Sequence, residues 1–173
     1  MSEQAELEVQ TAPAAPEADD EPPVNHIVFG LHGARYAVSI RSVLELDRLS
    51  PITPVPNTPE FVLGVTNVRG EVVSVIDLRR LLGFPPLARP ETGRLIQVRE
   101  VGRAVRSGLL VDSILGMRPV KTHQIEPDPT ADARTATVVD GLYPDKPEPL
   151  RGLSVEKLFE MEQIRVLLEE AAA

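Results

Sequence analysis

The segment spanning residues 58–84 constrains the fold of this chain more than any other part of its sequence. It reads TPEFVLGVTNVRGEVVSVIDLRRLLGF. Two apolar runs, residues 61–68 and 72–76, flank an Arg-Gly-Glu reversal, and this is the pattern of a β-hairpin. Asp77 follows at the N-cap position of a short helix, which Gly83 would end. The segment therefore predicts a β-rich core, and it contains nothing typical of a catalytic site.

Further β-type segments occur on both sides of this hairpin. Residues 26–29 and 35–40 predict a hairpin around a glycine turn, and residues 93–100 and 105–111 predict a third one. Residues 41–46 fit either a helical turn or the beginning of a strand. So many short strands separated by Gly and Pro favour small barrels over a parallel sheet.

Proline marks most of the remaining boundaries. The prolines within residues 51–59 exclude a regular helix, so a strand in this stretch would lie at a sheet edge. Residues 127–149 are Pro-rich and are predicted to be mostly irregular, with one strand candidate at residues 135–139. Residues 154–170 predict a helix whose apolar stripe packs on the body of the domain. The stripe comprises Val155, Leu158, Phe159, Met161, Ile164, Leu167 and Leu168.

The acidic residues are concentrated at the amino-terminal end. The formal net charge of the chain is −8, and residues 1–24 carry seven acids without any Lys or Arg, so the rest is nearly neutral. This Ala/Pro-rich segment has few large apolar residues to offset the entropy of ordering. We therefore predict that residues 1–24 form a disordered tail and that residues 25–171 form one domain. A solvating tail is favoured over a regulatory or tethering one.

Composition also narrows the range of partners. A nearly neutral domain, in a chain with only 3% aromatic residues, is poorly suited to phosphate binding or base stacking. The chain has no apolar run approaching the roughly 18 residues of a membrane-spanning helix, and its first residues lack the pattern of a secretory signal. We expect a cytoplasmic protein with no nucleic-acid partner and no direct membrane insertion.

Patterns that carry chemistry are absent from the sequence. The chain has no cysteine, which excludes disulfides, thiol catalysis and Cys-ligated metals. It lacks the glycine-rich phosphate loops and the serine-hydrolase elbow. His26 and His32 are better interpreted as surface histidines than as metal ligands, and Asp112, next to Ser113, is better interpreted as a turn-capping residue than as part of a nucleophile site. We expect no enzyme activity, no metal and no cofactor.

A faint internal repeat relates two parts of the chain. Arg69 and Gly70 precede the predicted cap Asp77, while Arg151 and Gly152 precede Ser154 in a similar role. In both places a short β element leads into a capped helix, so the repeat predicts two related β subdomains.

The central motif resembles the CheW family of bacterial chemotaxis coupling proteins. The residues that carry the resemblance are TPxFxxGVxNxRG at 58–70 and VxxVIDL at 72–78, with VD at 111–112, QIxP at 124–127 and VEKL at 155–158. The resemblance spans residues 25–168. It implies a mostly β fold of two five-stranded, SH3-like barrel subdomains with short helices and a C-terminal helix.

The resemblance also implies a function without catalysis. The family bridges the cytoplasmic signalling tips of chemoreceptors, which are methyl-accepting chemotaxis proteins, to the regulatory domain of the histidine kinase CheA. That kinase domain shares the CheW fold, so adaptor and kinase pack barrel to barrel in rings. A protein of this kind is cytoplasmic and clusters at membrane-associated receptor arrays.

Position by position, the resemblance implies a receptor-facing groove between the two subdomains. Its residues would be Val43, Glu45, Gly64, Arg69, Ile114 and Met117, whereas no kinase-binding residue is assigned. A helical receptor hairpin would place apolar side chains against the groove, with Arg69 and Glu45 setting the register. From the sequence pattern alone, Glu45 is a solvated charge and Arg69 an exposed residue on a turn.

The chain departs from the family pattern within residues 126–149. Glu126 stands where the family often has a basic residue, and Thr130 and Ala131 stand where it often has an acid and an aromatic. Residues 144–149, PDKPEP, are expected to replace the penultimate strand. Two functions therefore stay open: an array adaptor, or a CheW-fold scaffold of a specialised motility or regulatory pathway outside the ordinary receptor array.

Overall fold

The computed structural model of the protein describes residues 21–99, 106–161 and 164. Within these residues the chain forms short strands and three helices of four to six residues. The strands are β1 (Val24–Leu31), β2 (Ala34–Ser39), β3 (Val43–Arg48), β4 (Ile52–Thr53), β5 (Val62–Val68), β6 (Glu71–Asp77), β7 (Arg94–Arg99), β8 (Arg106–Val111), β9 (Ser113–Val120), β10 (Val139–Tyr143) and β11 (Leu150–Leu153). The helices are α1 (Leu78–Leu81), α2 (Thr135–Val138) and α3 (Val155–Glu160).

The strands form two sheets that exchange a strand. In the described part of the chain, the first sheet has the order β10-β11-β2-β1-β9 and the second β3-β7-β8-β6-β5-β4. The β1–β2 hairpin belongs to the first sheet, but the next strand, β3, pairs with β7 of the second. The β7–β8 hairpin belongs to the second sheet, and the next strand, β9, returns to pair with β1. Each sheet is thus completed at one edge by the strand that follows a hairpin of the other sheet.

The prediction of a mostly β chain built as two subdomains is confirmed by this arrangement. The expected five strands per subdomain are found in the first sheet, while the second gains a sixth through the two-residue edge strand β4. The position of β4 among the prolines agrees with the expectation that a strand there lies at an edge. The hairpins predicted at residues 26–40, 61–76 and 93–111 are all present as antiparallel pairs.

The main hydrophobic core lies between the two sheets. It joins Phe29 and Leu31 of the first sheet to Ile96 and Leu109 of the second, and all four side chains are fully buried. Two smaller clusters lie within the individual subdomains. Because aliphatic side chains dominate all three, burial of apolar surface is the main stabilising contribution.

The internal repeat is confirmed for the helix caps but not for the Arg-Gly pairs. Asp77 accepts hydrogen bonds from the backbone N–H groups of Arg79 and Arg80, and Ser154 accepts one from that of Lys157. These bonds satisfy N–H groups that a helix start leaves unpaired. Arg69 and Gly70, however, form the β5–β6 turn, whereas Arg151 and Gly152 lie within strand β11.

Several local predictions were wrong or incomplete. The ambiguous residues 41–46 lead into strand β3, whereas the strand candidate at residues 135–139 is mostly helix α2. Residues 144–149 replace no strand, since they form the loop between β10 and β11, and β11 leads directly into α3. Helix α3 ends at Glu160, while Ile164, the one described residue after Met161, is helical and buried in the main core, as the apolar stripe predicts. The predicted tail up to residue 20, the β7–β8 connection with Gly102, and the stripe residues Leu167 and Leu168 lie outside the described residues.

Candidate functional site

The β5–β6 turn presents a guanidinium group to solvent. Arg69 and Gly70 have positive φ angles of 51° and 89°, as the tight primed hairpin turns require. The Asn67 side chain stabilises the turn by accepting a hydrogen bond from the Gly70 N–H at 2.9 Å. The Arg69 side chain is 76% exposed. The turn is therefore ordered by its own backbone while its charged group stays accessible.

Glu45 of strand β3 is the ion-pair partner of Arg69. The carboxylate and the guanidinium are in direct contact, and the Glu45 side chain is 28% exposed. The expectation of a freely solvated Glu45 is therefore wrong, because β3 and the β5–β6 turn bring it against Arg69. A pair with one side this exposed contributes only about 0–1 kcal/mol to stability. Its charges consequently remain available to a partner at small cost to the fold.

Val43 and Ile114 lie on the two exchanged strands and pack against the same core. Val43 is on β3 and Ile114 is on β9, and both are partly buried against the cluster between the sheets. Met117 lies further along β9, opposite Ile27 of β1, and is 53% exposed. The structure thus places Val43 beside the Glu45–Arg69 pair and aligns Ile114 with Met117 along one sheet edge.

Gly64 differs from these residues because the backbone of Thr53 and Pro54 fills the space beside it. Gly64 is buried and has a φ of 135°. A Cβ atom at this position would lie 2.2 Å from the backbone oxygen of Thr53. The glycine allows the segment that contains β4 to approach β5, so it shapes the scaffold from within.

Strand β9 also presents an apolar residue that the sequence reasoning missed. Leu115 is 53% exposed, as is its neighbour Met117, and β9 forms the edge of the first sheet. The strand was not predicted, because Gly116 and Pro119 interrupt its β pattern. Exposed apolar side chains on an edge strand would have been the signal for this surface had the strand been recognised.

Asp112 lies where the chain crosses from the second sheet to the first. It makes a bidentate ion pair with Arg79 of α1, in which both N···O distances are 2.6 Å. It also accepts a hydrogen bond from the backbone N–H of His32 in the β1–β2 turn. The expectation that Asp112 caps its own local backbone is wrong, because the N–H group that it accepts from belongs to a turn 80 residues earlier. Asp112 therefore joins the two subdomains.

The divergent region is held in place by two arginine clamps. Arg35 bonds Asp145 at 2.6 Å and the backbone oxygen of Glu148 at 2.8 Å. Arg151 bonds Asp128 at 2.8 Å and the hydroxyl of Thr130 at 2.9 Å. The two loops border a cleft of about 240 Å³. The Pro-rich loop is thus an ordered surface, attached to strands β2 and β11.

The ionisation of Asp128 reflects this clamp. Burial alone would raise the pKa of the carboxyl, but hydrogen bonds from Thr130 and the contact with Arg151 outweigh burial and lower the pKa below its ordinary value. Asp128 therefore stays charged to lower pH than a free aspartate, which keeps the clamp intact in mildly acidic solution.

His26 is buried, and the interpretation of it as a surface histidine is wrong. It is 3% exposed, its Nδ1 lies 2.9 Å from the Val24 carbonyl, and its ring is tilted against Tyr143 at 5.4 Å. Burial lowers the pKa of His26 below 6.5, the Val24 carbonyl opposes this shift, and Arg41 adds to it. The His26 ring on β1 thus packs against the Tyr143 ring on β10 within the first sheet.

The candidate site combines exposed charges with exposed apolar surface. In the ranges that the structure describes, no group of three His, Asp or Glu side chains is placed to hold a metal ion. Those ranges also contain no helix that is long and apolar enough to cross a membrane. What the geometry offers is an exposed ion pair between β3 and the β5–β6 turn, and exposed apolar side chains on the edge strand β9.

Known proteins resemble this chain over most of its length. The model of the CheW-like domain matches residues 25–163. A probable chemotaxis protein CheW of Rhizobium etli is 39% identical over 60% of this chain and 65% of that protein. Chemotaxis protein CheW of Klebsiella aerogenes is 30% identical over 82% of this chain and 84% of that protein. Protein FrzA of Myxococcus xanthus is 36% identical over 65% of this chain and 69% of that protein.

The fold has a solved relative as well. The crystal structure of the scaffolding protein TtCheW from Thermoanaerobacter tengcongensis matches with a TM-score of 0.70 and 30% identity, over 82% of this chain and 95% of that one. The chain spans just under two thirds of the Rhizobium etli relative, at 65% of its length. With a family model that matches residues 25–163 and a solved relative of the same topology, the chain belongs to the CheW family.

Proposed function

We propose that this protein is a non-catalytic adaptor of chemosensory signalling. It would couple the cytoplasmic signalling tips of chemoreceptors, the methyl-accepting chemotaxis proteins, to the regulatory domain of a CheA-type histidine kinase. The observation that carries the proposal is the contact between Glu45 and Arg69, on the strand that also presents Val43. The family membership supports the same function.

The chemistry of this surface suits a helical hairpin. A receptor tip would place apolar side chains against Val43, Ile114 and Met117, two of which are already partly buried by the core. Arg69 would contribute directional hydrogen bonds, because a guanidinium can bind a carboxylate or amide with two parallel N–H groups. Gly64 would act indirectly, by keeping β4 close to β5.

The kinase would bind elsewhere on the molecule, so that both partners are held together. We assign no residue to that contact. The function needs neither a cofactor nor a metal, and it would place the protein in the cytoplasm, clustered at membrane-associated receptor arrays.

The Arg69→Glu variant tests the receptor surface. Arg69 is exposed on a turn that Gly70 and Asn67 hold, so the substitution should leave the fold intact. Binding to a soluble receptor-tip hairpin should weaken by about tenfold or more, because a buried partner group would lose its hydrogen bond. Calorimetry at fixed salt measures the affinity, and Arg89→Glu, on an exposed loop residue, is the control with the same charge change.

The charge-swapped double variant, Glu45→Arg with Arg69→Glu, separates contact from support. It retains an ion pair between β3 and the turn but reverses the charges that a receptor would meet. The proposal predicts that binding stays weak. Recovery of full affinity would show that the pair only holds the turn, and unchanged affinity in Arg69→Glu would remove this surface from the receptor contact.

The ordered divergent region favours a second candidate function. The cleft between the Arg35 and Arg151 clamps gives the protein a surface unlike the family pattern, which would suit a CheW-fold scaffold outside the ordinary array. Capture of partners from native extract distinguishes the two. Recovery of receptor and CheA-type kinase supports the adaptor, and recovery of another regulator without either supports the second candidate.

A further inference from the structure

The outer edge of strand β9 is an unoccupied strand-pairing surface. In the described residues β9 pairs with β1 on one side only, and residues 115–119 are all exposed. Pro119 lacks an N–H group, which limits strand addition to the part of the edge before it. The unpaired N–H and C=O groups of such an exposed edge can form hydrogen bonds with a further strand.

The two faces of this edge differ in character. Ile114 and Met117 lie opposite Phe29 and Ile27, whose side chains belong to the core between the sheets. Arg118 lies opposite His26 and therefore points to the other face. A complementary strand would need apolar side chains on one face and acidic side chains on the other.

The amino-terminal segment of the same chain has this pattern. Residues 5–10 read AELEVQ, so Ala5, Leu7 and Val9 alternate with Glu6 and Glu8. Strict alternation with period two is the pattern of a strand with one apolar face. The seven acids of residues 1–24 are matched by no Lys or Arg within that segment.

The cations that complement the acidic segment lie on β9 and directly after it. Residues 113–121 contain Arg118 and Lys121 but no acid, and both cations are exposed. The cleft beside Glu21 adds no attraction, because Asp140 and Glu156 line it together with Arg41. The acidic segment would therefore find its complementary charges at β9 and not in this cleft.

The length of the segment permits it to reach the edge. Val24 lies opposite Val120, so the chain enters the domain beside the end of β9. Residues 11–21 can span at most about 36–40 Å, whereas the whole of β9 measures about 27 Å. Tethering at this distance raises the effective concentration of the segment to roughly the millimolar range.

We propose that residues 5–10 add to the outer edge of β9 as a strand, with Leu7 and Val9 beside Met117 and with Glu6 and Glu8 beside Arg118. The docked strand covers Met117. Its consequence rests on the proposed function: the segment competes with the receptor tip, and the competition weakens as salt screens the charges. The docking itself is independent of that function.

A spin label tests the docking without any partner. The chain has no cysteine, so Gln10→Cys provides a unique attachment site in the full-length protein. Paramagnetic broadening should be strong at the methyl groups of Met117 and Leu115 and absent at exposed Val72 of the second sheet. Glu6→Lys with Glu8→Lys should abolish the broadening, while Glu17→Lys with Asp20→Lys, outside the strand, should leave most of it.

Two results would overturn the docking. One is equal broadening at Met117 and Val72. The other is broadening that appears when labelled chains are mixed with unlabelled, isotope-enriched ones and that falls on dilution, because the occupant would then be a second copy.

A binding measurement tests the consequence separately. The Glu6→Lys, Glu8→Lys variant should bind a receptor-tip hairpin roughly three- to tenfold more tightly than the unmodified protein at low salt. Equal affinities together with positive labelling data would overturn the competition and leave the docking in place. Failure of both proteins to bind the hairpin would overturn the competition and the proposed receptor function, again without affecting the labelling result.

Discussion

At the scale of single residues, the two glycines of the β5–β6 hairpin have different structural roles. Gly64 has a φ of 135°, and its missing Cβ would lie 2.2 Å from the Thr53 oxygen. Gly70 has a φ of 89°, but its missing Cβ would meet no atom within 4 Å. Both positions need unusual backbone angles, and only the first also needs the space.

Replacing each glycine with alanine separates these effects. Gly64→Ala should lower the free energy of unfolding by about 3 kcal/mol or more, because backbone strain and a clash with backbone combine. Gly70→Ala should cost only about 1 kcal/mol, which reflects the positive φ alone. Urea unfolding followed by circular dichroism measures both, and similar losses in the two variants would contradict the close approach of β4 to β5.

Buried His26 predicts a pH dependence of stability. Burial lowers its pKa below 6.5 in the folded protein, so the unfolded chain binds more protons as the pH falls through 6.5. The contribution of His26 to the free energy of unfolding is therefore fully present above about pH 6.5, and it is lost as the solution becomes more acidic. Arg41, Tyr143, Asp140 and Glu156 surround the same region and are unchanged in the test variant.

The urea midpoint should fall between pH 7.5 and pH 5.5, and it should fall less in His26→Gln. Because His32 and His123 remain in the variant, the difference between the two proteins isolates His26. An identical fall in both proteins would mean that His26 is as easily protonated in the folded state as in the unfolded one.

The residue scale also shows what the sequence could indicate about the site. The exposure of Arg69 was predictable, because an Arg-Gly pair between two apolar runs forms a turn. The partner of Arg69 was not, because Glu45 is separated from it by two other strands along the chain. Pairing of remote residues depends on the tertiary fold, which short-range patterns do not encode.

At the scale of elements, sequence patterns were reliable where all parts of a structural unit are contiguous in the chain. The β5–β6–α1 unit was predicted because its turn, its apolar runs and its cap are contiguous. Helix α2 was not predicted, because its sequence Thr-Ala-Thr-Val favours a strand. The Asp132 side chain accepts a hydrogen bond from the Thr135 N–H at 2.7 Å, and its backbone oxygen accepts one from the Ala136 N–H at 2.9 Å, so the turn before the helix supports it against that preference.

The joint between α1 and the β8–β9 crossing gives a prediction at this scale. Asp112→Ala should lower the free energy of unfolding by about 2–3 kcal/mol, because it leaves a mostly buried Arg79 and the His32 N–H without their acceptor. Glu71→Ala removes the more exposed pair with Arg106 and should cost within about 1 kcal/mol. Thermal unfolding compares the two, and equal losses would show that the Asp112 joint contributes no more than a surface pair.

At the scale of the whole molecule, the exchanged strands explain why the proposed receptor surface would depend on both subdomains. Val43 reaches the second sheet on β3, and Ile114 and Met117 reach the first on β9. The main core that supports Val43 and Ile114 is shared by the two sheets. The proposed surface would therefore need both halves of the chain, and no local sequence pattern indicates such an exchange of strands.

The proposed receptor surface would leave other parts of the molecule free for a second partner. The Glu45–Arg69 pair and the clamped loops of the divergent region, for example, are built by different elements. An adaptor needs this property, because it must hold two proteins at once rather than exchange one for the other. Simultaneous binding of receptor and kinase is therefore a stricter test of an adaptor than the affinity for either partner alone.

The most direct measurement is recruitment of the kinase regulatory domain to an immobilised receptor tip. The tip is saturated with the full-length protein, and the kinase domain is then added while surface plasmon resonance records the bound mass. The account predicts additional mass only when the adaptor is present, and loss of both adaptor and kinase signals with Arg69→Glu. Displacement of the adaptor by the kinase domain, or no gain of mass at saturating kinase, would contradict it.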